Sequence, residues 1–374
     1  MRDEARRAFA EGLALFGDPL HPHERGRVAR RALDEAREDI ASALSVQPDE
    51  IVLTSGGSES VATALLGAPG AEQGARVVTT AVEHPSVLGS AAALAGRGVE
   101  IEHVPVDELG KLDVDAYAAA IRRPGTVFAS VQHANHEVGT MQPVAETAAL
   151  ARECGVLLHT DACQTVGKIP VDVSGLGADL LSLSAHKFGG PPGAGVLTVR
   201  RGTRLAPIVG GDDRERRRRA GMPALPAVMG MAAALRATEN GMADRAATQW
   251  SLTTALRRGL ESSVPGIRLH GHPTQRTPHL VCFSVVDVDA EVLVMALDQR
   301  GFRLDVGSVA SGSPHVPSPV LAAMGAPDTV AIRASVGPEN SEEDVEALVQ
   351  TIAELVDALS RMRPDPDGEG AKRL

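Results

Sequence analysis

Hydrophobic and polar positions follow two periods along this chain, one typical of helices and one typical of strands. Residues 24–45 carry apolar side chains at helical spacing among charged ones, which predicts an amphipathic helix. Short apolar runs that end in glycine or polar residues predict buried strands. These runs lie at residues 50–54, 75–80, 125–131, 156–159 and 195–199. Strands separated by helical segments are typical of a doubly wound α/β sheet with mostly parallel strands.

The pattern changes beyond residue 240. Three helical segments alternate there with strand-like runs, which is typical of a smaller α+β domain. The predicted helices are Met242 to Leu260, Glu291 to Arg300 and Glu342 to Leu359. The predicted domains are a large domain over residues 15–243, a small domain over residues 1–14 and 244–362, and a disordered polar tail over residues 363–374.

One strand-like run leads directly to a lysine. In the stretch 179–190, Ser182, Ser184 and His186 share one side of a period-two backbone, so polar groups converge beside Lys187 at the end of the strand. Ligands of open α/β sheets bind beyond the carboxyl ends of strands, and a desolvated lysine there suits a covalent imine with an aldehyde. Pyridoxal 5'-phosphate (PLP) is the candidate cofactor. A solvated surface lysine is the alternative explanation.

The ends of the other predicted strands carry the remaining groups that such a cofactor needs. The strand at residues 50–54 runs into a glycine turn and a helix start, which predicts an anion site, although an ordinary turn explains the same pattern. His84, His136 and Asp161 each follow another strand. PLP requires a lysine, an acid for its pyridine nitrogen, a flat ring to stack on it and donors for its phosphate. The joint occurrence of these groups favours a PLP site.

Composition narrows the class of protein further. The chain has 374 residues and a net charge of -11, which argues against a nucleic-acid binder, and the basic cluster Arg214–Arg219 is interrupted and flanked by acidic residues. No apolar run is long enough to cross a bilayer and no signal peptide is recognisable, so we expect a cytoplasmic protein. The cysteines, Cys154, Cys163 and Cys282, form no metal-binding or disulfide motif and are expected to be small buried residues, and no metal site is expected.

Six motifs together resemble one known family. The order TSGGSES, EHPSV, ANHEVGTMQP, HTDACQTVGKIPVD, DLLSLSAHKFGGPPGAGVL and IRASVG is similar to that of the cysteine desulfurases of the iron-sulfur-cluster type, which are class V aminotransferases of PLP fold type I. The resemblance runs from Phe16 to the last predicted helix. It implies a large domain with a mainly parallel seven-stranded sheet between helices and a smaller α+β domain.

The resemblance also implies roles for individual residues. Lys187 would bind the cofactor covalently and move the proton at the substrate Cα. Asp161 would pair with the pyridine nitrogen, Gln164 would reach the ring oxygen, and His84 would stack on the ring. The phosphate would be held by Gly57, Ser58, Ser184 and His186. The substrate side would be formed by Arg333, which binds the carboxylate, together with Asn135 and His136. A structural ion pair is the alternative role for Arg333.

Members of this family are homodimers, and the segment Arg219–Met222 is similar to the piece that a partner subunit contributes. The chain also departs from the family pattern. Ala310 stands where the family has the cysteine that carries off sulfur as a persulfide, His136 replaces an asparagine, and Met222 replaces a threonine. The family's opening Ala-Ala-Thr-Thr strand is not found. Because an alanine methyl has no nucleophilic lone pair, the persulfide step cannot run at position 310.

Two classes of function follow. The first is a PLP-dependent, cysteine desulfurase-like enzyme for L-cysteine or a related β-substituted amino acid, in which Ala310 is either an engineered change or a natural one. A natural alanine would point to a lyase or aminotransferase-family enzyme with a reaction that needs no persulfide: β-elimination, cleavage of a sulfinate or selenocysteine, or another reaction at Cα. The second is a catalytically silent PLP-binding scaffold. A sulfur-acceptor protein is a candidate partner, and neither nucleic acid nor a membrane is expected to be one.

Overall fold

The computed structural model describes residues 1–306, 318–327 and 329–361. Within these ranges the chain forms a seven-stranded sheet between two layers of helices and a four-stranded sheet with its own helices. The α/β prediction, with a mainly parallel sheet of seven strands, is confirmed. Ala310 and the tail at residues 363–374 lie outside the described residues.

The large sheet has the strand order β1-β7-β6-β5-β4-β2-β3. Its strands are β1 (Ile51–Thr54), β2 (Arg76–Thr80), β3 (Glu100–Val104), β4 (Thr126–Ser130), β5 (Leu157–Asp161), β6 (Leu180–Ser184) and β7 (Gly195–Val199). β7 runs antiparallel to both neighbours, and the other strands share one direction. All five residues of β6 are buried because helices cover both faces of the sheet.

Different helices pack on the two faces of the large sheet. Leu53 and Leu181 lie in one apolar cluster with α1, α2 and α8, whereas Val52 and Leu180 lie in another with α3 and α4. A third cluster joins α5 and α6 to β4 and β5. These helices are α1 (Asp3–Leu13), α2 (Glu24–Ala43), α3 (Gly57–Leu66), α4 (Pro85–Ala95), α5 (Val114–Ile121), α6 (Val144–Glu153), α7 (Val173–Leu176) and α8 (Leu225–Glu239).

The small domain has a four-stranded antiparallel sheet in the order β10-β11-β9-β8. Its strands are β8 (Ile267–His270), β9 (Leu280–Val285), β10 (Asp305–Val306) and β11 (Ile332–Ser335). Its helices are α9 (Met242–Ser263), α10 (Ala290–Gln299), α11 (Pro319–Ala323) and α12 (Glu342–Arg361). One apolar core joins α9, α10 and α12 to this sheet. The predicted helices agree with α2, α9, α10 and α12 within a few residues.

The N-terminal helix corrects the predicted domain boundary. Residues 1–14 were expected with the small domain, but Ala5 of α1 is fully buried in the large-domain core, against α8. The backbone N–H of Arg2 donates to the carbonyl of Gly189 at 2.8 Å. The apolar side of α1 is therefore covered by the large domain, and α1 belongs to that domain.

Candidate active site

Side chains from several strand ends meet in one cavity of about 290 Å³, here called the strand-end cavity. It lies at the carboxyl ends of the parallel strands, where open α/β sheets bind ligands. Its lining includes Gly57, Ser58, His84, Ser86, Gln132, Ala134, His136, Asp161, Cys163, Gln164, Ser184, His186, Lys187, Asp305 and Arg333. Every predicted site residue in the described part of the chain lies here except Asn135.

Lys187 is carried by a 3-10 turn (Ala185–Phe188) that directly follows β6. The turn ends at Gly189, whose φ of 87° is strained for any residue with a Cβ. Within the turn, Ser184 Oγ and His186 Nδ1 lie 2.9 Å apart. Lys187 and His186 are both exposed in the single chain, so the expected desolvation of the lysine is not present in the isolated subunit.

The anion-binding end of the strand-end cavity is the start of α3. The helix begins at Gly57, and its N-cap, Gly56, provides no side-chain cap, so the first amides of the helix keep their donor capacity. A Cβ on Gly57 would lie 2.7 Å from Cys163 Sγ and 3.4 Å from Ser184 Cβ. Glycine is therefore required for the close approach of the helix start to the wall that carries Ser184.

His84 forms one wall of the strand-end cavity and is the N-cap of α4. Its Nδ1 accepts from the backbone N–H of Ser86 at 3.1 Å. Burial lowers the pKa of His84, Asp161 acts in the opposite direction and Lys187 lowers it again. The ring is thus held in place as an uncharged imidazole, which is suited to stacking on a flat heteroaromatic ring.

Asp161 and Gln164 lie opposite this wall. Asp161 ends β5 and is 8% exposed, and its Oδ1 accepts from the backbone N–H of Cys163 at 2.9 Å. Gln164 is equally buried, and its Oε1 accepts from Lys168 Nζ at 2.8 Å. A nearly buried carboxylate without a cationic side-chain partner in the described ion pairs suits a protonated ring nitrogen.

Arg333 comes from β11 of the small domain. One guanidinium nitrogen donates to the carbonyl of His136 at 2.7 Å, and another forms an ion pair with Asp305, the residue opposite it on β10. Both members of the pair border the strand-end cavity. Arg333 therefore forms a structural ion pair, which was its alternative role. The pair lies where a ligand carboxylate can compete with Asp305.

Asn135 is a correction to the predicted substrate-binding residues. Its side chain is fully buried, its Nδ2 donates to the carbonyl of Val82 at 3.0 Å, and its Oδ1 accepts from the backbone N–H groups of Glu137 and Val138 at 2.8 Å each. The amide is used to hold the turn after β4. Asn135 therefore holds this turn and is not among the residues that line the strand-end cavity.

The neighbouring His136 does border the strand-end cavity. Its ring meets that of His84 edge to face with centroids 5.0 Å apart. Burial lowers the pKa of His136 well below its usual value, and His84, Arg333 and Lys187 lower it further. His136 is therefore uncharged, and the 3.6 Å separation between its Nε2 and Glu137 Oε1 is not an ion pair.

Two groups around the strand-end cavity were not identified from the sequence. Glu83 is 1% exposed and accepts from Thr80 Oγ1 and from the backbone N–H of Gln132, and burial raises its pKa to about 8. The Nζ of Lys168 donates to Gln164 and lies 3.0 Å from Nε2 of His279 in the small domain. Glu83 directly precedes His84 at a strand end, and this position could have identified it from the sequence. Nothing in the local pattern indicated the contact between Lys168 and His279.

The cysteines do not supply a nucleophile at this site. Cys163 borders the strand-end cavity, but burial and the nearby Asp161 raise its pKa well above the usual value. Cys282 is buried, and burial raises its pKa as well. Cys154 is exposed at the end of α6, so the expectation of burial is wrong for this residue.

The residues of the strand-end cavity fit PLP on structural grounds. The uncapped start of α3 is a site for a phosphate, Asp161 is a buried carboxylate for a ring nitrogen, and His84 is an uncharged ring on one wall. Lys187 supplies the amine within the same cavity. The site thus has the composition of a fold-type-I PLP enzyme.

Comparison with known proteins agrees with this class. The family model for class-V aminotransferases matches residues 19–348, and the chain belongs to that family. The predicted resemblance is therefore confirmed. Cysteine desulfurases and class V aminotransferases use PLP, which confirms the cofactor prediction.

Within the family, several similar proteins are named cysteine desulfurases. A protein named "Cysteine desulfurase IscS" from Methanosarcina thermophila is 36% identical over 354 residues, covering 93% of this chain and 87% of that protein. A second one, from Dictyoglomus turgidum, is 37% identical and covers 93% of this chain and 90% of that protein. A solved structure titled "NIFS-LIKE PROTEIN" has a TM-score of 0.86 at 29% identity, covering 96% of this chain and 99% of that one.

Two features are absent from the described residues. In residues 1–306, 318–327 and 329–361, no helix is long and apolar enough to span a membrane. Over the same ranges, no group of three or more His, Cys, Asp or Glu side chains is arranged to hold a metal ion.

Proposed function

We propose that this chain is a PLP-dependent enzyme of the cysteine desulfurase type, acting on L-cysteine or a related β-substituted amino acid. The observation that carries the proposal is the meeting of an amine, a buried carboxylate, an uncharged imidazole and an uncapped helix start in one cavity of about 290 Å³. The similarity to cysteine desulfurases over 93% of the chain supports the substrate class.

When bound, PLP supplies an electron sink that weakens the bonds at the substrate Cα. Lys187 would be the covalent anchor and would move the proton at Cα, because its amine lies in the same cavity as the other candidate groups. Asp161 holds the proton on the ring nitrogen, and His84 covers one face of the ring. The amides of Gly57 and Ser58, together with Ser184 and His186, bind the phosphate.

Arg333 binds the substrate carboxylate in this proposal. A bidentate guanidinium suits a carboxylate, and Arg333 borders the strand-end cavity with part of its guanidinium already used. Asp305 must then give way to the incoming carboxylate. His136 remains an uncharged neighbour of the same carboxylate.

Ala310 decides which sulfur chemistry is available. Without a cysteine at that position, the chain cannot accept sulfur there as a persulfide, so the β-substituent must leave by another route or pass to an external thiol. Product analysis shows which of these routes the chain uses.

The test is product analysis with a panel of L-cysteine, cysteine sulfinate and selenocysteine. We expect alanine or pyruvate from at least one of them, measured by mass spectrometry, with an accompanying change in the absorbance of the bound cofactor. With a thiol reductant in the assay to reduce the persulfide, Ala310→Cys should add sulfide release from L-cysteine if the alanine replaced a working cysteine. A cofactor band that does not respond to any amino acid would favour the silent scaffold.

A homodimer is part of the proposal. The single chain leaves Lys187 and His186 exposed and also exposes a group of large apolar side chains. Phe16 is 82% exposed, and Leu20 and Met222 are more than half exposed. These residues border or lie next to a groove of about 550 Å³ beside the segment Arg219–Met222. Sedimentation at micromolar concentration should show a dimer, whereas a monomer would remove this part of the proposal. The cytoplasmic location stays a prediction.

A further inference from the structure

Lys168 lies between two cavities. It borders an inter-domain cavity of about 500 Å³, which shares His136, Gln164, Lys187 and Arg333 with the strand-end cavity. Its Nζ donates to Gln164 Oε1 at 2.8 Å and lies 3.0 Å from His279 Nε2. Within the described ranges, no carboxylate forms an ion pair with this amine. Its hydrogen-bond partners are therefore an amide and an imidazole.

The surroundings of Lys168 are unfavourable for a cation. Burial, together with the nearby Lys187 and Arg333, lowers the pKa of Lys168 to about 7, and Cys163 acts in the opposite direction. His279 is uncharged, because burial and its cationic neighbours lower its pKa well below the usual value. A cation placed in this way is stabilised by a nearby negative atom. A ring oxygen in the strand-end cavity is such an atom.

The hydrogen bonds of Lys168 also fix the orientation of its partners. In its protonated form, which is populated at and below neutral pH because its pKa is about 7, Lys168 has three donors and no acceptor. Gln164 must therefore turn its carbonyl oxygen toward Lys168, which directs its amide NH₂ elsewhere, and Gln164 borders the strand-end cavity. When Lys168 is protonated, the same rule makes Nε2 of His279 an acceptor.

We propose that Lys168 is a positioning residue that turns the amide NH₂ of Gln164 toward the ring oxygen of the cofactor and stabilises negative charge on that oxygen. This inference rests on the proposed function, in which Gln164 reaches that oxygen. Lys168 is not among the residues that line the strand-end cavity, so it acts through Gln164, which does line it. Because the amine of Lys168 bonds the carbonyl oxygen of Gln164, the NH₂ group of Gln164 is left to donate at the site.

The test compares pH titrations of the bound cofactor's absorbance. Lys168→Met keeps the length of the side chain and removes the charge and the donors. We expect the pH midpoint of the absorbance change to rise by about one pH unit, because losing a positive charge and a donor to the oxygen both favour retention of the cofactor's proton. Lys111→Met is the matched control, because Lys111 also bonds a glutamine, Gln275, but at the surface. Its midpoint should not move.

Two variants separate positioning from packing. His279→Leu removes the other partner of Lys168 but leaves its bond to Gln164, so the midpoint should stay within a few tenths of a unit. Lys168→Arg retains charge and donors and should restore most of the wild-type midpoint. If Lys168→Met does not fold, Lys168→Gln fills the site with a neutral donor and must still raise the midpoint.

An unchanged midpoint in a folded, neutral variant at position 168 would overturn the proposal, as would an equal rise in His279→Leu. The outcome is separable from that of the proposed function. If the unmodified protein does not bind PLP covalently at Lys187, the proposed function fails. If it does so and only the midpoint shift is missing, the role of Lys168 fails alone.

Discussion

The two walls of the strand-end cavity are built in different ways. The large-domain wall consists of residues at the carboxyl ends of strands in one sheet: Asp161 ends β5, Lys187 follows the adjacent β6, and Gly57 follows β1. The small-domain wall consists of Arg333, which is engaged with Asp305 on the neighbouring strand. The groups of the first wall are available to a ligand, whereas in the second wall a ligand has to separate Arg333 from Asp305. We therefore expect changes in the first wall to have larger effects.

The largest expected effect in this comparison comes from Asp161→Ala. Removing the carboxylate leaves the ring nitrogen without its partner, and we expect the rate of product formation to fall by at least about 100-fold, equivalent to ~2.7 kcal/mol in the barrier. Single-turnover kinetics with the best amino acid of the panel measure this. A loss below threefold in a variant that still binds PLP would show that the large-domain wall does not tune the cofactor.

Glu83→Gln tests whether the buried carboxyl group next to His84 is held protonated in the folded chain. The pKa of Glu83 is about 8 in the folded chain against an ordinary 4.5, so the unfolded chain releases a proton that the folded chain retains. The carboxyl group therefore destabilises the folded state increasingly as pH rises from 4.5 to 8. We expect the free energy of unfolding of the variant, relative to wild type, to rise by about 3 kcal/mol between pH 5 and 8.

Urea unfolding across this pH range measures the effect. Glu108→Gln, at an exposed position, provides the control. A constant difference in the free energy of unfolding between Glu83→Gln and wild type would mean that Glu83 titrates normally in the folded chain.

Gly57→Ala tests the close packing at the anion-binding end. The new Cβ would lie 2.7 Å from Cys163 Sγ, so we expect about 1–2 kcal/mol of destabilisation and weaker PLP binding. Cys163→Ala removes that sulfur, and the double variant should recover most of the loss. Thermal unfolding and equilibrium dialysis of PLP measure both quantities. A double variant as impaired as Gly57→Ala alone would locate the conflict elsewhere.

Asp305→Asn addresses the small-domain wall and should have the smallest effect. Asp305 is partly exposed, and a pair of this kind contributes only ~0–1 kcal/mol. Freeing Arg333 should lower KM for the amino acid by about threefold with little change in kcat. Steady-state kinetics on this variant, with Asp298→Asn as an exposed control in the same domain, measure the change. A raised KM would instead assign Asp305 to holding Arg333 in its binding position.

The contrast between the walls also explains what the sequence could predict. Period-two patterns ending in polar residues located Lys187 and Asp161, because the carboxyl ends of parallel strands must meet at one edge. Asn135 carries no local sign that its amide is used by the turn around it. The bond between Lys168 and His279 joins residues 111 positions apart, and α1 packs on α8 across most of the large domain. Such contacts depend on how the elements pack, which local periodicity does not encode.

The central claim is that Lys187 binds PLP covalently, and borohydride reduction followed by peptide mass spectrometry tests it most directly. The chain has lysines at other positions, including Lys111 and Lys168, whose peptides act as internal controls. We predict that the mass of a reduced pyridoxyl group appears on the peptide that contains Lys187 and disappears in Lys187→Ala. An unmodified Lys187 peptide from PLP-saturated protein, or the added mass on Lys168 instead, would contradict the account.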